Sequence, residues 1–280
     1  MTAQQAVSGG PIAAEAGSFG GLSNWTQEVL ALAKRWLIEL RRERLNLIFN
    51  IVQPAVWMVF FGTGVGRTVD KGIIGTDDYI GFMLAGIIAF TIVSNGVAGA
   101  MPLMWDKETG YLDKLMSMPI ARSSVLVSRF VFQLGLNSVQ VLIIIAVALV
   151  MGVSFETSVP GMLVILVTAG LLTLAFSSAF SALAYAVPGH GTFFAVTGFI
   201  TLPLLFVSNA FVPLDAMPGW MNVVARLNPL TYAISAMRTL IVEGWTGSVV
   251  GNLAVLALFS AACLAVGVDQ FRRNTGDRVK

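Results

Sequence analysis

Six ionisable residues crowd into one short stretch of an otherwise apolar chain. Asp106, Lys107, Glu108, Asp113, Lys114 and Arg122 all fall within WDKETGYLDKLMSMPIAR, residues 105–122, between two long apolar runs. No catalytic grouping accompanies them. Ser177, Ser178 and Ser181 have neither a histidine nor a carboxylate near them in sequence. One cysteine, Cys263, and one histidine, His190, leave no His/Cys cluster for a structural metal and no internal disulfide. Recognition is the chemistry that remains. GYLDKLMSMP reads as a short helix with Leu112, Leu115 and Met116 on one side, Asp113 and Lys114 elsewhere, and Pro119 as its stop. An apolar knob with charged flanks suits docking into a groove on another protein. A plain interfacial loop is the other reading.

The elements that position this stretch are membrane helices. Of 280 residues, 56% are hydrophobic and 11% charged, with a mean hydropathy of +0.81. Soluble domains carry about 25% charged residues, so lipid is the working solvent. A net charge of +2 gives no reason to expect nucleic acid. A crossing needs about 20 mostly apolar residues. Six spans are predicted, at about 45–66, 79–104, 126–152, 161–187, 192–213 and 247–268. The fourth and fifth are separated at Val187-Pro188-Gly189-His190-Gly191, where Pro and Gly break the apolar run. With the N-terminus inside, the inner segments hold 13 of the 17 Lys and Arg and the outer segments 4. Both termini and the 105–122 stretch are therefore expected in the cytoplasm. Residues 1–21, rich in Ala, Gly and Ser, read as a disordered leader, and 269–280 as a cytoplasmic tail.

Ahead of the first span, Trp25, Val29, Leu32, Trp36 and Leu40 recur at three- and four-residue spacing. They predict an amphipathic helix over 22–44, flanked by Lys34, Arg35, Arg41 and Arg42. It suits the inner lipid interface. A soluble helix packed on a partner domain gives the same pattern. His190 reads as a solvated turn residue or as a pH-responsive one.

Two motifs carry a resemblance. Glu108-x-Gly110-x-Leu112-Asp113-x-Leu115-x-x-x-Pro119-Ile120-x-Arg122 resembles the signature of type-2 ABC exporter permeases, with Lys107, Tyr111 and Asp113 where Arg, Thr and Glu are common. Asn228-Pro229-Leu230-Thr231-Tyr232, followed by Arg238, is similar to the segment after that family's fifth span. The closest flavour is the daunorubicin-resistance-type drug permeases, with lipid-linked polysaccharide exporters as near relatives. The resemblance implies an all-α membrane fold with a cytoplasmic coupling helix at about 107–118 and short re-entrant outer helices over 214–243. Asn228 and Pro229 independently suit a helix start, and that helix is too short to cross a bilayer.

The resemblance further implies a partner set. An ATP-binding cassette ATPase subunit, in two copies, would bind ATP and Mg and grip Asp106, Lys107, Glu108, Gly110, Tyr111, Leu112, Asp113, Lys114, Leu115, Pro119 and Arg122. This chain would bind no cofactor and catalyse nothing itself. It has no phosphate-binding Gly-x-x-x-x-Gly-Lys-Ser/Thr loop; GTGVGR at 62–67 reads as the end of a span. A second permease chain, expected to be identical, would complete the route in a bacterial plasma or inner membrane. The first, second and fifth spans line that family's route, which favours Gln53, Ser94, Asn95 and Asn209 as lining. Inter-helix hydrogen bonding is the bland alternative for each. The cargo would be a hydrophobic or amphipathic small molecule or lipid. An ATP-independent channel or secondary carrier is the rival class. The absence of Asp, Glu, Lys and Arg from mid-span weakens a proton-coupled carrier. A lipid-modifying membrane enzyme lacks its catalytic groups.

Overall fold

The computed structural model describes residues 22–42, 44–60, 62, 64, 78–118 and 120–276. The predicted leader lies outside the described residues, as do Arg67, Lys71 and Pro119. Among the described residues the chain is helical and has no strand. The helices are α1 (Leu22–Arg42), α2 (Arg44–Phe60), α3 (Tyr79–Glu108), α4 (Tyr111–Met116), α5 (Arg122–Val150), α6 (Val159–Ala186), α7 (His190–Phe206), α8 (Gly219–Leu227), α9 (Pro229–Arg238) and α10 (Gly247–Gly276). A 3-10 turn, Leu214–Ala216, precedes α8, and a π turn, Thr239–Glu243, extends α9.

Among the described residues, four helices are long and apolar enough to cross a membrane: Tyr79–Glu108, Ser123–Val150, Val159–Ala186 and Gly247–Arg273. α2 and α7 have 17 residues each. At 1.5 Å per residue α7 is about 25 Å long, short of the ~30 Å hydrocarbon core. α7 is predicted as a span to residue 213 and stops at Phe206. Pro203 lies in its last turn, and the chain then bends on Ser208. The Ser208 hydroxyl donates to the Leu205 carbonyl at 2.6 Å and accepts from the Ala210 amide at 3.3 Å. At the other end of the chain, α10 runs on through Gly276, so the predicted tail is largely helix.

α3 and α6 form the middle of the bundle. Leu84, Ile88 and Ile92 of α3 meet Ile165 and Leu172 of α6, with Leu230, Ile234 and Met237 of α9 and Leu256 of α10 completing the same buried cluster. Asp78 starts α3 by accepting from the Gly81 amide at 2.9 Å. Five amide or hydroxyl side chains cross-link the bundle inside this apolar setting. Asn95 of α3 donates to Asn137 of α5 at 2.6 Å and also to Gln140. Gln133 donates to the Asn95 carbonyl at 2.8 Å, and Asn137 donates to Thr173 of α6 at 3.0 Å. Polar groups in a lipid-soluble bundle need such partners.

The lead helix belongs to the same body. α1 packs along α5, burying Val29 and Trp36 and leaving Leu30, Leu37 and Ile38 exposed. Its Glu28 carboxylate caps α5, accepting from the Ala121 amide at 3.0 Å and the Ser124 hydroxyl at 2.9 Å. So α1 is seated on this chain's own helix, which argues against the alternative of a soluble helix packed on a partner domain.

Candidate coupling site

The charged stretch is built on the C-terminal end of α3 and on α4 behind it. α3 continues about one turn past its long apolar run and ends at Glu108. Gly110 then turns the chain with φ 72°, the left-handed region that glycine adopts without a Cβ clash. α4 is a single short helix, Tyr111–Met116, instead of one reaching from 107 to 118.

The apolar knob points inward. Leu112 and Leu115 are each 4% exposed. They line a tight space shared with Leu32 of α1, Leu103 of α3 and Leu126 of α5. This corrects the expectation that Leu112 and Leu115 face a partner. In a short amphipathic helix the apolar side goes to whichever apolar surface is nearest, and here α1 and α5 supply one. The surface turned outward is polar with apolar edges: Asp113 and Lys114 are exposed, and so are Trp105 and Met118.

Three consecutive charges are tied to three different helices. Asp106 accepts from Arg35 of α1 at 3.1 Å. That guanidinium also lies over the rings of Tyr111, at 4.3 Å, and Trp36, at 4.6 Å. Arg129 of α5 lies over Trp36 at 4.8 Å and is buried, with its Nη1 lacking a hydrogen-bond partner. Lys107 donates to the carbonyls of Tyr185, at 3.0 Å, and Val187, at 2.9 Å, where α6 ends. Glu108 meets His190, the first residue of α7, at 2.7 Å. Arg122 opens α5.

Sequence reasoning misses four of these partners. Arg35 reads from its surroundings as a lipid-facing cation, Arg129 as an inner-loop charge, and His190 as a turn residue. Tyr185 gives no signal at all. Only the helix spacing of Trp36, which places Arg35 beside it on α1, could point toward the stretch.

The outer motif makes a second cluster. The Asn228 side chain accepts from the Leu230 amide at 3.0 Å and donates to the Leu204 carbonyl at 2.5 Å. Pro229 occupies the first turn of α9. Tyr232 donates to the Arg226 carbonyl at 2.7 Å. Arg238 donates to the carbonyls of Phe82 at 3.1 Å, Asn209 at 2.8 Å and Ala210 at 3.2 Å, and its guanidinium lies 3.6 Å from the Phe82 ring centre. Thr231 is buried, its hydroxyl without a partner.

The residues expected to line a route do not all meet. Gln53, Ser94 and Asn95 share one narrow groove between α2 and α3, with Asn50, Thr91 and Trp57. The Asn95 amide is already held by the α5 amides. Asn209 is apart from that groove, donating to Ser235 at 2.8 Å. A wider cavity of about 260 Å³ lies between α2, α3 and α7, and its wall is entirely apolar, with Trp57, Phe90, Phe206 and Phe211 as its aromatic members. Gly86 keeps it narrow on one side: a Cβ there would stand 3.0 Å from the Ala210 carbonyl oxygen.

Residues 27–242, which hold both motifs and the helices between them, match the model of one family, described as "ABC-2 type transporter". The chain belongs to that family. It is accordingly a multi-pass membrane protein and a transmembrane subunit of the ABC-2 type. It is 36% identical over 218 residues to a protein of Porphyra purpurea named as a transport permease, ycf38, covering 76% of this chain and 73% of the relative. It is 26% identical over 270 residues to a Mycobacterium tuberculosis protein named as the doxorubicin resistance ABC transporter permease DrrC, covering 90% and 91%. Nodulation protein J of Rhizobium leguminosarum bv. viciae is 22% identical over 261 residues, covering 92% and 96%.

Proposed function

We propose that this ABC-2 permease is the gate of an ATP-driven exporter, powered by a separate ATPase subunit that binds ATP and Mg and docks on the 105–118 surface. The observation that carries the reading is the construction of that surface. Leu112 and Leu115 anchor it from within, and Asp106, Lys107 and Glu108 tie it to α1, α6 and α7. A push on Asp113, Lys114 or Met118 would therefore reach the whole bundle and not only a loop. A plain solvated loop has no use for such bracing.

The working assembly is two permease chains with two ATPase subunits, in a bacterial plasma or inner membrane with both permease termini in the cytoplasm. α2 and α7 would cross as the first and fifth of six spans, with the bilayer thinning locally around α7 to match its length. Residues 214–243 would dip into the outer leaflet. The apolar cavity between α2, α3 and α7 favours a hydrophobic or amphipathic cargo, and the doxorubicin-resistance name of one relative agrees with that class.

Co-expression with a candidate ATP-binding cassette subunit tests the reading. A stable complex that hydrolyses ATP in lipid is the expected result. Uptake of a panel of apolar and amphipathic dyes into inverted vesicles should require both ATP and this chain. Dye flux that proceeds without nucleotide would support the channel reading instead.

A further inference from the structure

We propose that His190 is a positioning residue that carries displacement of the docking loop to α7, with Lys107 and Glu108 acting as a staple across the α6–α7 turn. The proposal rests on the exporter reading above and extends it to a residue that neither motif contains.

Lys107 and Glu108 are consecutive and of opposite charge, and each meets a different helix end. Lys107 donates to the carbonyls of Tyr185 and Val187, at the C-terminus of α6. Helix C-termini present unpaired carbonyls and a partial negative charge, so an ammonium is favoured there. Glu108 sits at the N-terminus of α7, where the partial charge is positive and a carboxylate is favoured. Its Oε1 is close to Gly189 as well: a Cβ added there would lie 3.8 Å from it. The sign of each charge suits the helix end it touches. Reversing the order of the two residues would put each charge against the wrong dipole.

The Glu108 contact is made through one side chain. An ionised carboxylate can only accept, so His190 Nδ1 carries the proton in the 2.7 Å bond. The other ring nitrogen, Nε2, is buried without a hydrogen-bond partner, so Glu108 is the polar anchor of this ring among the described residues. Trp105 stands edge-on to the imidazole at 6.0 Å between ring centres and limits its swing. The other charged groups nearby are engaged elsewhere: Asp106 with Arg35, and Lys107 with the α6 carbonyls.

What lies beyond His190 can move. Only Phe193, Thr197 and Leu205 of α7 are buried, while Phe194, Phe199, Leu202 and Phe206 are exposed. α7 is thus lightly packed within its own chain, and its far end forms part of the apolar cavity. A helix packed lightly along its length and tied at both ends, through His190 at one and through the Leu204 carbonyl to Asn228 at the other, turns between those ties when the first is displaced. The staple gives the docking loop a grip on one wall of the cavity.

The experiment uses the full chain with its co-expressed ATPase subunit in native membranes. A Phe206→Cys label is placed at the outer end of α7 in a Cys263→Ser background and read as the rate of reaction with a membrane-permeant maleimide. In the otherwise unaltered chain, vanadate trapping with ATP should change that rate at least threefold. His190→Ala should abolish the change while the ATPase subunit still co-purifies. His190→Gln, whose amide can donate to Glu108, should restore at least half of it. A persisting change in His190→Ala overturns the relay, and so does equal loss in Ala and Gln, which would mark ring packing as the cause. An unaltered chain that binds an active ATPase without any change at Phe206→Cys also overturns it. Failure to bind an ATPase at all overturns the exporter reading itself.

Discussion

The two polar clusters of this protein sit at opposite ends of the bundle and are built on different bonds. At the outer end, Arg238 is satisfied by three backbone carbonyls and one aromatic face, and Asn228 by one amide and one carbonyl. Backbone partners do not change rotamer, so this cluster seats α9 against α3 and gives the end of α7 a fixed point about which it can turn. At the inner end, Arg35 pairs with Asp106 and His190 with Glu108, side chain to side chain, with the Glu108 side chain 47% exposed. Such pairs are individually weak and exchange partners readily. The contrast teaches a division of work: the outer cluster is a lock, and the inner one a set of joints between helices.

The largest blow to this contrast should come from Leu112→Asp. It places a carboxylate among apolar side chains and detaches α4 from α1 and α5. Loss of the monodisperse peak in detergent is expected, whereas Leu112→Ala should keep the fold and lose about 2–4 kcal/mol. If Leu112→Asp instead folds normally and fails only to bind the ATPase, the leucine faces the partner after all. Next comes the lock. Arg238→Ala strands three carbonyls, each an unpaired acceptor worth ~1–3 kcal/mol. A clear fall in thermal midpoint is expected, with Arg238→Lys recovering part of it. Third, Asn95→Ala leaves Asn137 and Gln140 short of a donor, for about 1–2 kcal/mol. Transport by that variant should survive if Asn95 serves packing, and a cargo-selective loss would return it to the route. The smallest effect on folding belongs to the exposed pair: Asp113→Lys with Lys114→Glu should leave the thermal midpoint unchanged while lowering ATPase co-purification at least tenfold.

Much of this architecture is legible in the sequence, for physical reasons. α3, α5, α6 and α10 each hold a long apolar run with any charges toward the helix ends, and a bilayer sets the length of such runs. Asn228 and Pro229 announce the start of α9 because capping is a local interaction. The charged stretch stands out against an apolar background. What periodicity does not reveal is which neighbour a face meets. Leu112 and Leu115 show an apolar side, yet nothing local says that α1 and α5 will cover it. Arg35, Arg129 and His190 join the site across separations that no spacing rule spans. Asn95 and Asn209 look alike as amides in apolar runs, but one lies in a cross-helix network and the other beside Arg238. The end of α7 is similarly hidden, since Ser208 turns the chain within a stretch that remains apolar to residue 214.

The central claim is that an ATPase drives this chain through the outward face of the 105–118 stretch. The direct measurement is co-purification and lipid-reconstituted ATP hydrolysis for the unaltered chain and for Asp113→Lys with Lys114→Glu. The account predicts an active complex for the first and a folded permease without its ATPase for the second. An equally active complex from both would contradict it.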